Sequence, residues 1–76
     1  MSGRSDKNIR FASVRTLLID LGFVERTSGS HHVFRRDDIA ELINIQEVQG
    51  GKVKPYQARQ LRALLVKYRE KLGYEE

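Results

Sequence analysis

Two adjacent histidines, His31 and His32, are the residues of this chain best suited to acid–base chemistry. An imidazole has an unperturbed pKa of about 6.5, so both protonation states are available near neutral pH. In an extended strand neighbouring side chains point to opposite faces, and at most one of the two shares the core face. If Val33 faces the helices, His31 shares its side while His32 and Phe34 point to the open face. That parity makes His32 the accessible acid or base; the alternative is a strand pair satisfied by local hydrogen bonds. The other chemical candidates are thinner. Asp37-Asp38 is either a magnesium-ligand pair or a solvated turn. No carboxylate stands at a recognised ligand spacing from the diverging histidines, so no metal site is expected. Ser28-Gly29-Ser30 lacks the nucleophile-elbow pattern and reads as hairpin turn chemistry. Gly50-Gly51-Lys52 lacks the Walker spacing; with Lys54 close by, it either holds a phosphate or simply connects a strand to a helix. Arg59 and Arg62, three residues apart, form a basic helix edge open to phosphate or to water.

The elements that must position these groups follow from apolar periodicity. Phe11, Val14, Leu17, Leu18 and Leu21 mark one face of a helix over Asn8 to Leu21, with Arg10 and Arg15 off the stripe and Gly22 as its C-terminal glycine. Phe23 to Thr27 reads as a short strand, Ser28-Gly29-Ser30 as a turn, and His31 to Arg35 as the returning strand. After a turn at Arg36-Asp37-Asp38, the β-branched run from Leu42 to Val48 is a third strand, broken by Gly50-Gly51-Lys52. Pro55 suits the first turn of a helix, and Tyr56, Leu61, Leu64, Leu65, Tyr68 and Leu72 recur at helical spacing before Gly73. The order is α-β-β-β-α, an α+β domain with one three-stranded antiparallel sheet.

Composition narrows the function. A chain of 76 residues has room for one core, so residues 8–76 are expected to form a single domain behind a flexible terminus over 1–7. It contains no cysteine, which excludes a disulfide framework, a thiolate zinc site and a cysteine nucleophile together. No apolar signal core or membrane-length window is present, and a cytoplasmic home without membrane contact is expected. Fourteen Lys and Arg against ten Asp and Glu give a net charge of +4. That balance favours an anionic partner, nucleic acid first and an acidic protein second.

Gly22-Phe23-Val24, Gly29-Ser30-His31-His32-Val33-Phe34-Arg35, Gly51-Lys52, Lys54-Pro55-Tyr56-Gln57 and Gln60-Leu61-Arg62-Ala63-Leu64-Leu65 together resemble the HicA family of bacterial toxins. The resemblance spans nearly everything after Asn8. It implies a fold similar to the double-stranded RNA-binding domain, with two helices on one face of the sheet. It also implies an mRNA interferase: a metal-independent endoribonuclease, without small-molecule cofactor, that cleaves mRNA, stops translation and is neutralised by a HicB-type antitoxin. The family's Gly-Ser-X-His pattern puts the catalytic role on His32, as general base on the ribose 2′-hydroxyl or general acid on the leaving oxygen, because RNA supplies its own nucleophile. On the same reading Ser30, His31, Arg35, Lys52, Lys54, Arg59 and Arg62 contact RNA. A second catalytic group is not identified. The alternative is a non-catalytic RNA-binding module of the same fold.

Overall fold

The computed structural model describes residues 9–74; the terminus expected to be flexible over 1–7 lies outside the described residues. The first helix, α1, runs Phe11–Asp20 and buries Phe11, Val14 and Leu18, the three-and-four spacing of one helical face. It is shorter than the expected Asn8 to Leu21. Ile9 and Arg10 are extended instead, because they pair with a later strand. The C-terminus of α1 closes in a Schellman arrangement: the Gly22 N–H donates to the Ile19 carbonyl and the Phe23 N–H to that of Leu18, both at 3.0 Å. Gly22 has φ of +92°, a conformation costly for any residue with a Cβ.

Strands β1 (Val24–Ser28) and β2 (His31–Arg35) form an antiparallel hairpin with Ser28 opposite His31 and a two-residue loop at Gly29-Ser30. Positive φ at Gly29, the first loop residue, matches the type II′ pattern that suits strand twist. β3 (Ile43–Val48) pairs with β2, and β4 (Lys52–Val53) pairs with β3, giving a sheet of order β1-β2-β3-β4. The expected three strands are therefore four. The additional one lies where the Gly50-Gly51-Lys52 pattern suggests a break. Gly50 and Gly51, with φ of +84° and +71°, turn the chain back sharply enough for Lys52 and Val53 to pair with Val48 and Glu47. Arg10 bridges to Lys52 on the far side of β4, through Phe11 N–H to the Gly51 carbonyl (2.8 Å) and Val53 N–H to that of Ile9 (3.0 Å).

The final helix is also divided. α2 (Pro55–Lys67) and α3 (Arg69–Leu72) are separated at Tyr68, whose backbone departs from helical geometry at φ −110° and ψ 23°. The apolar stripe nevertheless runs on through Ala58, Leu61 and Leu65 to Leu72. Tyr68 leaves the helical path where its hydroxyl donates to Glu41 Oε1 at 2.6 Å.

Phe34, Ile43, Ile45 and Val53 are the buried strand residues, and they join the buried residues of α1, α2 and α3 in one cluster. By register and alternation all four lie on one face, which both long helices cover. This reverses the expected parity of β2. Phe34 is completely buried, so His32 shares its helix-facing side, while His31 and Val33 point to the uncovered face. The reason is volume: a phenyl ring fills the space between Ile43 and the helices, whereas Val33 sits half-buried between Arg26 and Asn44.

Candidate active site

The sequence makes one end of the sheet unusual by collecting its turns there. His31 pairs with Gln46, so the hairpin loop and the β3–β4 turn lie at the same end. Phe11 joins the Gly51 carbonyl at the start of α1, and Gln57 in the first turns of α2 reaches the Gln46 backbone. Both long helices therefore begin at this end. Their N-caps are Arg10 and Lys54, neither makes a side-chain cap, and neither first turn contains an acidic residue. Carboxylates usually occupy such positions because of the partial positive charge there; here cations do. Lys52, half-buried and opposite Arg10, adds a third.

His32 sits on the helix side of this end. Its ring packs against that of Phe11, the first residue of α1, with centroids 4.3 Å apart and planes at 47°. The side chain keeps 17% of its surface, so it still meets solvent. Its Nδ1 lies 2.8 Å from Glu25 Oε2 and 3.4 Å from Thr27 Oγ1. The Arg15 Nε donates to the other oxygen of Glu25 at 2.6 Å. Glu25 is 12% exposed and Arg15 53%. Burial pushes the Glu25 carboxyl up, but hydrogen bonds and charges from His32 and Arg15 outweigh it and hold the carboxyl below its ordinary range. An ionised carboxylate thus stands beside a partly exposed imidazole. Such an imidazole can take or give a proton.

The expected RNA-contacting residues do not all join it. His31 is on the opposite face, its Nδ1 3.3 Å from Asn44 Oδ1. Ser30 lies in the hairpin loop, its Oγ accepting from Gln46 Nε2 at 3.4 Å. Arg35 is on the open face at the other end of β2, 4.0 Å from the fully solvated Asp37. Lys52 and Lys54 flank the helix starts, whereas Arg59 is exposed and Arg62 half-buried farther along α2. The alternation of β4 puts the Lys52 side chain on the face opposite Val53. The sheet therefore separates His32 from His31 and Arg35, and the shared end is what links His32 to Lys52 and Lys54.

Glu25 and Phe11 were missed as members of the site. The hairpin register contained the signal for Glu25: a loop at Gly29-Ser30 puts Thr27 opposite His32 and Glu25 opposite Phe34, on the same face and diagonal to the imidazole. The pairing of α1 with the sheet, which no local pattern encodes, brings in Phe11.

Of the Asp37-Asp38 turn, Asp37 is fully solvated, while Asp38 Oδ1 is 3.0 Å from Arg36 Nε and the Arg36 Nη1 donates to the Leu21 carbonyl at 3.0 Å, tying this turn to the end of α1. Among the described residues no group of three or more His, Cys, Asp or Glu side chains is placed to hold a metal ion. No described helix is long and apolar enough to cross a membrane. Comparison with family models, with curated proteins and with solved structures found no match.

Proposed function

We propose that the protein is a small HicA-like endoribonuclease, a cytoplasmic toxin that cleaves mRNA and is neutralised by a HicB-type antitoxin. The observation that carries this reading is the position of His32: a histidine whose side chain keeps 17% of its surface, at the end of the sheet where both long helices begin with cationic N-caps, Arg10 and Lys54, and no acidic residue in the first turn. A phosphodiester is the substrate class that needs both features, a proton acceptor and positive charge at the same end of the fold. His32 takes the proton of a ribose 2′-hydroxyl as that oxygen attacks the adjacent phosphorus. The bond to the 5′-oxygen breaks, this oxygen takes up a proton, and the products carry a 2′,3′-cyclic phosphate and a 5′-hydroxyl. The cationic end offsets the charge that builds on the phosphorane oxygens. Two helices over one face of an antiparallel sheet also suit a dsRBD-like frame, with β4 as a two-residue addition.

The test is cleavage of a long single-stranded RNA in EDTA by wild type and by a folded His32→Ala variant. Cleavage by wild type alone, abolished when the RNA is replaced by its 2′-deoxy counterpart, is the expected result. Equal cleavage by both proteins moves the chemistry away from His32, and no cleavage by either overturns the nuclease reading. A second reading, an RNA-binding module without chemistry, draws on the placement of Arg35 and His31 across the sheet from His32. It predicts salt-dependent RNA binding that survives His32→Ala in a protein that cleaves nothing.

A further inference from the structure

Resting on the reading of His32 as the proton-transfer group, we propose that Glu25 is its positioning residue, with Arg15 holding Glu25 in turn. The three residues come from three different elements. Arg15 projects from the middle of α1, Glu25 from β1 and His32 from β2, and the chain of contacts is continuous: 2.6 Å from the Arg15 Nε to Glu25 Oε1, then 2.8 Å from Glu25 Oε2 to His32 Nδ1. A carboxylate is only an acceptor, so a hydrogen bond at Nδ1 requires the proton to be on Nδ1. The neutral ring then presents a bare Nε2, the nitrogen able to receive a proton from a substrate hydroxyl. When His32 takes that proton it becomes a cation, and the same carboxylate faces it. Glu25 therefore acts twice through His32, choosing the tautomer before transfer and stabilising the imidazolium after it, without touching the substrate.

Arg15 has a separate role. A carboxylate can rotate and offer either oxygen, and a guanidinium on one of them leaves the other for the ring. Phe11 closes the ring from the helix side, so the imidazole is fixed by an apolar face and a polar edge together. Thr27 Oγ1, at 3.4 Å from the same nitrogen, is the weaker neighbour.

The experiment reads the ring directly. Two-dimensional 1H–15N spectra of histidine-labelled protein distinguish Nδ1–H from Nε2–H in the neutral ring, with no RNA present. Wild type is expected to show Nδ1–H at His32 and Glu25→Gln to show Nε2–H, because the amide can donate to Nδ1. The Arg15→Gln spectrum should stay close to wild type. In RNA cleavage Glu25→Gln should lower kcat by on the order of 10²- to 10⁴-fold with KM nearly unchanged, as loss of an orienting carboxylate does elsewhere. Arg15→Gln should lower it by about tenfold. Glu25→Asp, which keeps the charge, should recover part of the loss. A wild-type ring already protonated on Nε2, or a Glu25→Gln variant with unchanged tautomer and kcat, overturns the positioning role. Absence of cleavage in wild type ends the nuclease reading instead, and the spectra still decide whether Glu25 sets the ring.

Discussion

Replacing Phe34 by Ala and, separately, its neighbour Val33 by Ala tests the orientation of β2, on which the facing of His32 depends. Phe34 has no exposed surface and lies between Glu25 on β1 and Ile43 on β3 beneath the helices. Deleting its ring costs the transfer energy of the lost atoms and leaves a cavity, together about 3–5 kcal/mol. A domain of 76 residues has a total stability of about 4–11 kcal/mol, so this variant loses a large share of it and, at the low end of that range, all of it. Val33 is half-buried on the opposite face; trimming it removes two partly covered carbons, a loss of about 1 kcal/mol. Urea titrations followed by far-ultraviolet circular dichroism measure both, with the slope unchanged if only stability has moved. Phe34→Leu, at about 1–2 kcal/mol, keeps the series measurable if the alanine variant does not fold. A loss at Val33 equal to or larger than that at Phe34 would refute the orientation and return His32 to the open face.

Glu41 accepts from the Lys67 ammonium at 2.8 Å and the Tyr68 hydroxyl at 2.6 Å, and these hydrogen bonds bring its carboxyl down to about 2 from an ordinary 4.5. Because the folded value is the lower one, this contribution to stability is complete above pH 4.5 and is lost as pH falls through about 2. Thermal melts of wild type and Glu41→Gln across that range should converge at its acid end, and a constant gap would contradict the assignment. Gln57 places its amide against the edge of β3, accepting from the Gln46 N–H at 3.2 Å and donating to the Asn44 carbonyl at 3.5 Å. Gln57→Ala should cost about 1–2 kcal/mol and speed hydrogen exchange at the Gln46 amide; exchange at the wild-type rate would show the pairing to be unimportant.

The helix stripes and the hairpin were legible because their signals are local. Leu61, Leu65 and Leu72 share a helical face whatever lies beneath it, and Gly29 marks a turn by its own conformation. The facing of β2 was not legible, because Val33 and Phe34 are adjacent and both apolar, and alternation alone cannot choose between them. The choice depends on which side chain fills the space above Ile43 and Ile45, a property of the assembled core. β4 was missed for a related reason. Two residues make no periodic signal, and Lys52 and Val53 form a strand through pairing with β3 and with Ile9-Arg10, more than forty residues earlier. The sequence singles out His32 by residue type, by the Gly-Ser-X-His resemblance and by a strand parity that the structure reverses. Its surroundings became readable only once Glu25 was followed across the hairpin.

The two borders of the sheet are treated differently. Along the β4 border, backbone groups are taken up by Ile9 and Phe11, and the amide of Gln57 continues the pairing beyond the end of the short strand. Along the β1 border, Val24–Ser28 has a strand neighbour on one side only among the described residues. An added strand therefore has, among the described residues, a single border to dock on, and if that strand were the β1 of another copy, both copies' β1 borders would be consumed in the act. Among the described residues, pairing through β1 would join two copies and leave no second open border on either, a closed rather than a propagating contact.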